Sequence, residues 1–267
     1  MHSHLWEMCE VLKQAGIGIT ILTTGLLLRR DASRLVQYCD DVVVSLDGPP
    51  AVHDRIRNLP GAFDRLAAGV RAVKEADPAV SVSGRCTVQK ENFRFLREIV
   101  TDAMGLDLDR ISFLAADVHS EAFNRPETWD QDRASEVALQ IEDLPDLEAE
   151  LEALEREHGA EFENGYISES PEKLRRRLLQ YFRATHGLAD FHPNVCNAPW
   201  VSTVIESDGT VRPCFFHAPI GNIRESCGLD AALNSPKAVE FRRNLNVQTN
   251  PVCRRCVCTL ALRRSEE

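Results

Sequence analysis

Residues 42–73, VVVSLDGPPAVHDRIRNLPGAFDRLAAGVRAV, decide the fold. Val42, Val43 and Val44 run into Ser45 and Leu46 without polar alternation, the pattern of a strand buried on both faces. Asp47-Gly48 and two prolines interrupt the run, and over 63–74 apolar residues return at helical spacing. The same unit recurs in both directions. Upstream, Leu5, Met8, Cys9 and Leu12 share one helical face, Gly16 sits where a C-terminal cap belongs, and 17–22 is a short β-branched run. Gly16-Ile17-Gly18 lacks the third glycine of a dinucleotide fingerprint and precedes a strand, so a helix cap accounts for it. A helix near 32–38 leads into the quoted strand. Downstream, the pattern predicts strands over 79–88 and 110–115 around a helix over 93–104. Strand and helix alternating at this spacing predict an α/β fold with a parallel sheet or barrel, of which four strands can be counted.

The chain has 267 residues, 43% of them hydrophobic, enough for one large domain or one with a smaller companion. Its 31 Lys and Arg against 41 Asp and Glu leave a net charge of −10, which argues against tracking a phosphate backbone. Peptide or small-molecule partners are expected, and no nucleic acid. No apolar run reaches the length of a membrane span, and MHSHLWEMCEVLKQ has neither a basic nor an apolar leader region. A cytoplasmic location without membrane attachment is the expectation. In a reducing compartment the nine cysteines read as metal or redox ligands where clustered, not as disulfides.

After residue 125 the character changes. Ten acidic residues fall within 142–163, with Leu144, Leu147, Leu151 and Leu154 at helical spacing, which predicts an amphipathic helix with a solvated acidic face. A basic helix follows over 171–186, and its plain role is charge complementarity with the acidic one. From 195 the chain turns to short strands: 201–206 and 210–213 read as a hairpin closed by Asp208-Gly209. The expected division is 1–125, then 126–190 as a helical insertion and last helix, then 191–267 as a small cysteine-rich domain.

Cys196 and Cys214 stand at the open ends of that hairpin, so closing it brings two thiols together. Cys253-Arg254-Arg255-Cys256-Val257-Cys258 adds a CxxC turn and a spare thiol. Four thiolates suit zinc or an iron–sulfur cluster, and spacing leaves both open. Cys9, Cys39, Cys86 and Cys227 sit singly and read as ordinary cysteines. His119 and His217 have no partner at ligand spacing and read as structural, and His53-Asp54 reads equally as loop-ordering or catalytic.

Two stretches carry a resemblance to a known family. Residues 42–73 are similar to the region around the fourth strand of radical S-adenosylmethionine (SAM) enzymes. CNAPWVSTVIESDGTVRPCFFHAPIGNI (196–223) with PVCRRCVC (251–258) resembles their C-terminal SPASM or twitch extension. Its mark is a cysteine, a glycine nine to fifteen residues on, then Gly-x4-Cys; here twelve residues separate Cys196 from Gly209 and four separate Gly209 from Cys214. The resemblance implies an incomplete (β/α)6 partial TIM barrel followed by a small cysteine-rich twitch or SPASM hairpin domain holding an auxiliary [4Fe-4S] cluster. One CxxC is similar to the single-cluster twitch form, the full SPASM pattern needing seven cysteines. Cys196, Cys214, Cys253 and Cys256 are the implied ligands, with Cys258 as substitute or bystander. SAM contacts carry over to Ser45, Asp47 and Arg85, and to Thr24, where many members have asparagine. Small hydroxyls and a carboxylate suit a ribose, and a guanidinium suits a methionyl carboxylate. The bland reading of 45–48 is a strand-ending turn.

The departure is the CxxxCxxC loop that binds the SAM-cleaving cluster, together with the Gly-Gly-Glu-Pro segment. Neither occurs in this sequence. By the resemblance, Met1 falls just after the latter, with roughly two βα units, on the order of 60 residues, preceding it. The SAM site is incomplete in the chain, and no catalytic residue is assigned. The implied function is hydrogen abstraction from a peptide or small molecule by a longer enzyme, with an electron donor such as a flavodoxin or ferredoxin. The alternative is a degenerate, non-catalytic protein that binds an iron–sulfur cluster or zinc.

Overall fold

The apolar runs form one sheet. In the computed structural model, which describes residues 2–120, 122, 125, 127–225 and 227–262, β1 (Thr20–Thr23), β2 (Asp41–Ser45), β3 (Ser81–Val88) and β4 (Arg110–Ala115) lie in the order β1-β2-β3-β4, all parallel. Between them run α1 (Leu5–Gln14), α2 (Leu28–Tyr38), α3 (Pro50–Arg57), α4 (Ala62–Ala76) and α5 (Leu96–Gly105). β1 starts later than the β-branched run because Asp40 claims its first residues: Ile19 N donates to the Asp40 carboxylate at 2.8 Å, and Ile19 O accepts from Asp40 N at 2.9 Å. The helix α3 lies where the sequence pattern names no element; Pro49-Pro50 starts it, Pro50 occupying a first-turn position where a missing N–H costs nothing.

The two faces of the sheet differ. Val42, Val44, Val82, Cys86, Val88, Ile111 and Phe113 are fully buried, with Leu35, Leu66, Val70 and Ile99 of the helices. Pleating turns Ser45, Arg85 and Ser112, which are register partners across three strands, to the other, open face. Helices α2 and α4 meet where a Cβ on Gly69 would stand 2.6 Å from Leu28 Cβ, so only glycine admits that approach.

Past β4, α6 (Gln131–Val137) belongs to a second compact unit, and the chain then returns to the first as α7 (Leu144–Glu157) and α8 (Gly159–Glu163). α7 buries the four leucines read from the sequence. Its acidic face pairs mainly with the first half of the chain: Arg97 with Glu150 and Glu157, each at 3.0 Å, and Arg94 with Asp146 at 2.8 Å. The basic segment contributes Arg175 to Glu155 at 2.8 Å. That segment is α9 (Pro171–Leu174), a π-helical stretch Arg175–Gln180 and α10 (Tyr181–Thr185).

The second unit comprises 117–138 and the chain from 183 onward. α11 (Ala198–Val201) precedes β5 (Val204–Ile205), β6 (Thr210–Arg212) and β7 (Gly221–Asn222), an antiparallel sheet in that order. α12 (Leu229–Leu233), α13 (Pro236–Asn244) and α14 (Pro251–Arg254) follow. Val211, Ile220, Ala232 and Ala238 form its core. Gly209 turns the hairpin at φ +89°, where a side chain would be strained and its Cβ would meet Asn222 Oδ1 at 2.9 Å.

Candidate iron–sulfur site and SAM-side sheet face

Cys196, Cys214, Cys253, Cys256 and Cys258 line one cavity, with Ala198, Pro199, Val247 and Val252 as apolar wall. Local chemistry brings these distant positions together. Asn250 caps α14, accepting from Val252 N at 3.0 Å and Cys253 N at 3.2 Å. Asn194 Nδ2 donates to Cys253 O at 2.7 Å and to Cys256 O at 3.3 Å, closing the CxxC turn against the segment that carries Cys196. Asn197 pairs with the end of the tail, donating to Leu262 O at 2.6 Å and accepting from Leu262 N at 3.0 Å. On the hairpin side, the Cys214 sulfur accepts the backbone N–H groups of Phe216 and His217.

The thiols disfavour ionisation in each other's company. Burial, then the neighbouring Cys214 and Cys196, push the Cys253 thiol up to about 11. Burial also raises Cys214 and, further, Cys256. Five sulfurs gathered with no compensating cation among them are a donor set for a thiolate-binding metal centre, which would reverse this shift. Among the described residues, no group of three His, Cys, Asp or Glu side chains converges tightly enough for a single metal ion. The sulfurs instead surround a space. Thiol donors of this kind suit zinc or an iron–sulfur cluster, and Cys258, the most exposed of the five, contributes its carbonyl to the Cys256 thiol at 3.1 Å.

His217, read from the sequence as structural, packs beside the sulfurs. It is buried, stacks edge-on against Phe241, and its Nε2 lies 3.3 Å from Cys253 Sγ. Burial lowers its pKa, so the neutral ring faces a sulfur. No spacing rule links position 217 to 253, and only the packing reveals the contact.

In the first unit, Ser45 and Arg85 adjoin on the open face, and Arg85 Nε donates to Ser112 Oγ at 3.4 Å. Thr24 is exposed one residue beyond β1. Asp47 is differently placed: it is 2% exposed, its carboxylate held by Arg57 Nε at 2.6 Å and its N–H by His53 Nδ1 at 3.2 Å. Asn92 Nδ2 donates to Asp47 O at 2.9 Å, completing a buried polar knot. The sequence reading grouped Asp47 with Ser45 as a ligand contact; the structure gives its carboxylate to Arg57. Arg57 and Asn92 are the residues that reading missed.

The chain thus joins a unit built on a four-stranded parallel sheet to a unit whose five thiols line one cavity. The chain carries, over residues 196–257, a match to the model of the SPASM iron–sulfur cluster-binding domain. It is 31% identical over 91 residues to an AdoMet-dependent heme synthase of Methanosarcina barkeri, covering 33% of this chain and 26% of that protein. It is 30% identical over 96 residues to the Fe-coproporphyrin III synthase of the same organism, covering 35% and 24%. The chain thus spans about a quarter of the length of the curated relatives it matches. Among solved structures it is similar to Streptococcus suis SuiB bound to S-adenosylmethionine, with TM-score 0.57 at 15% identity over 94% of this chain and 57% of that one. SuiB bound to precursor peptide SuiA gives TM-score 0.55 at 14% identity, over 95% and 57%. Among the described residues no helix is long and apolar enough to cross a membrane.

Proposed function

We propose that this chain is the SAM-facing sheet and auxiliary-cluster portion of an enzyme that modifies a small molecule or peptide by hydrogen abstraction. The observation that carries the reading is the meeting of five cysteine sulfurs around one cavity within or beside the matched residues. On this reading Cys196, Cys214, Cys253 and Cys256 hold one auxiliary [4Fe-4S] cluster of the twitch type, with Cys258 as the exchangeable fifth. The bound cluster supplies one-electron transfer, at a potential set by hydrogen bonds to its sulfurs and by burial. The residues around it do the tuning: Phe216 and His217 N–H groups donate to the Cys214 sulfur, and His217 shields Cys253.

The four parallel strands are then part of a six-stranded partial barrel, with Ser45, Arg85 and Thr24 as SAM contacts and Asp47 as the residue that fixes the Ser45 loop. Arg85 offers the guanidinium that a methionyl carboxylate needs. The ligands of the SAM-cleaving cluster belong to sequence outside this chain. The names of the relatives favour a tetrapyrrole substrate, whereas the SuiB likeness favours a peptide. A flavodoxin or ferredoxin is the proposed electron donor, and the cytoplasm the proposed location.

Anaerobic reconstitution with iron and sulfide, followed by iron counting and electron paramagnetic resonance, tests the cluster. About four irons per chain are expected for one such cluster, with loss of the signal in Cys196→Ala and Cys214→Ala. Stoichiometric zinc without iron uptake would overturn the reading. A second reading is a non-catalytic cluster-binding protein; cluster loading without SAM binding by the full-length gene product would support it.

A further inference from the structure

Beside the sulfur cavity, within the same unit, lies a second cavity of about 300 Å³. Phe216 and Val252 form a wall of both. Its remaining lining is mixed: Asp117, His119, Ser120 and Thr128 on one segment, Pro251 and Arg255 on the other. The charges do not balance. The Asp117 carboxylate is taken by Arg125 at 2.5 Å and by the Ser120 hydroxyl, so it offers no free negative charge. Of the two arginines inside the CxxC turn, Arg254 turns to Asp190 at 3.8 Å. Arg255 is exposed, lines the cavity, and has no ion-pair partner among the described residues.

A cavity with a guanidinium that has no ion-pair partner among the described residues, the Thr128 hydroxyl and an apolar wall is complementary to an organic acid. The carboxylate would take the guanidinium in a charge-assisted pair, and the carbon body would lie on Phe216, Pro251 and Val252. We propose that this cavity is a substrate subsite for an amphipathic carboxylate, anchored by Arg255. Because Arg255 lies between two cluster ligands in sequence, the subsite and the cluster are built from the same turn. The two cavities share Phe216 and Val252 as lining. The proposal deepens the function proposed above and rests on it for the word substrate, but not for the binding.

The test is a binding titration with the iron-reconstituted chain, using coproporphyrin III, its carboxylate-masked methyl ester, and a peptide ending in glutamate. The acid should bind and the ester should not. Arg255→Gln should weaken binding by roughly tenfold, the scale of one lost charge-assisted contact, whereas Arg254→Gln should not. Thr128→Phe, which fills the cavity from a segment remote from the cysteines, should weaken it as well. Iron content measured on each variant separates loss of the subsite from loss of the cluster. Arg255-dependent binding of the peptide rather than the porphyrin would keep the subsite and assign its source to a peptide carboxylate. Equal affinity for acid and ester, or affinity indifferent to both Arg255→Gln and Thr128→Phe, would overturn the proposal. Arg255-dependent binding in a chain that takes up no iron would retain the subsite while removing the cluster reading.

Discussion

Single residues in this chain are held by demands that a neighbouring residue type could not meet. The Tyr166 hydroxyl is buried without a hydrogen-bond partner among the described residues, and burial pushes its pKa up to about 12 from 10. The folded state keeps that proton longer than the unfolded chain does. Its contribution is therefore intact below pH 10 and lost as pH rises from 10 to about 12. Tyr166→Phe should raise stability by about 1 kcal/mol at neutral pH and flatten this alkaline loss, both measurable by denaturant titration across pH. Gly209 makes the opposite demand. At φ +89° with Asn222 Oδ1 in the path of a Cβ, Gly209→Ala should cost at least about 1 kcal/mol and reduce cluster retention, read by iron release over time. The Gly209 requirement was legible in the spacing to Cys214, but the Tyr166 hydroxyl was not, because only packing decides which polar atom is stranded.

At the scale of elements, the loop after β2 is held from three sides, by α3 through Arg57 and His53 and by Asn92 before α5. Arg57→Met would leave the buried Asp47 carboxylate without its cation, and a loss of about 3 kcal/mol is expected from urea unfolding. On the proposed reading, SAM affinity of the full-length protein should fall in parallel, because the loop positions Ser45. The strands were readable from their apolar runs, and β4 coincides with its predicted bounds. Strand β7 was not readable, because two residues carry no periodicity. The acidic helix was readable as a helix, but its main partners are Arg94 and Arg97, on the 3-10 turn and helix after β3, and charge patterning names no partner at a distance of about fifty residues.

Over the whole molecule, each of the two units has its own core, and they differ in what sustains it. The first buries a continuous layer of valine, leucine and isoleucine beneath its helices. The second centres on Val211, Ile220, Ala232 and Ala238 around a three-stranded sheet of very short strands, buries otherwise mainly small side chains such as Ala122, Ala184 and Ala198, and gathers five thiols. A unit whose buried apolar side chains are this small is expected to gain stability from a bound metal centre. Removing iron from the reconstituted protein with a chelator should raise protease cleavage and amide hydrogen exchange within 183–262 while leaving 20–115 protected. Equal protection of both regions with and without iron would show that the second unit folds without its cluster.

The sequence by itself determined the parallel α/β alternation, the hairpin turned at Gly209 and the membership of the sulfur set. Each of these rests on local periodicity, a backbone conformation or a fixed spacing. Only the tertiary structure decided that Asp47 answers to Arg57, that His217 lies against Cys253 and that Arg255 opens onto a cavity. Those outcomes depend on which side chains meet after the chain has folded, and hydrogen bonds and ion pairs between residues far apart in sequence leave no pattern along it.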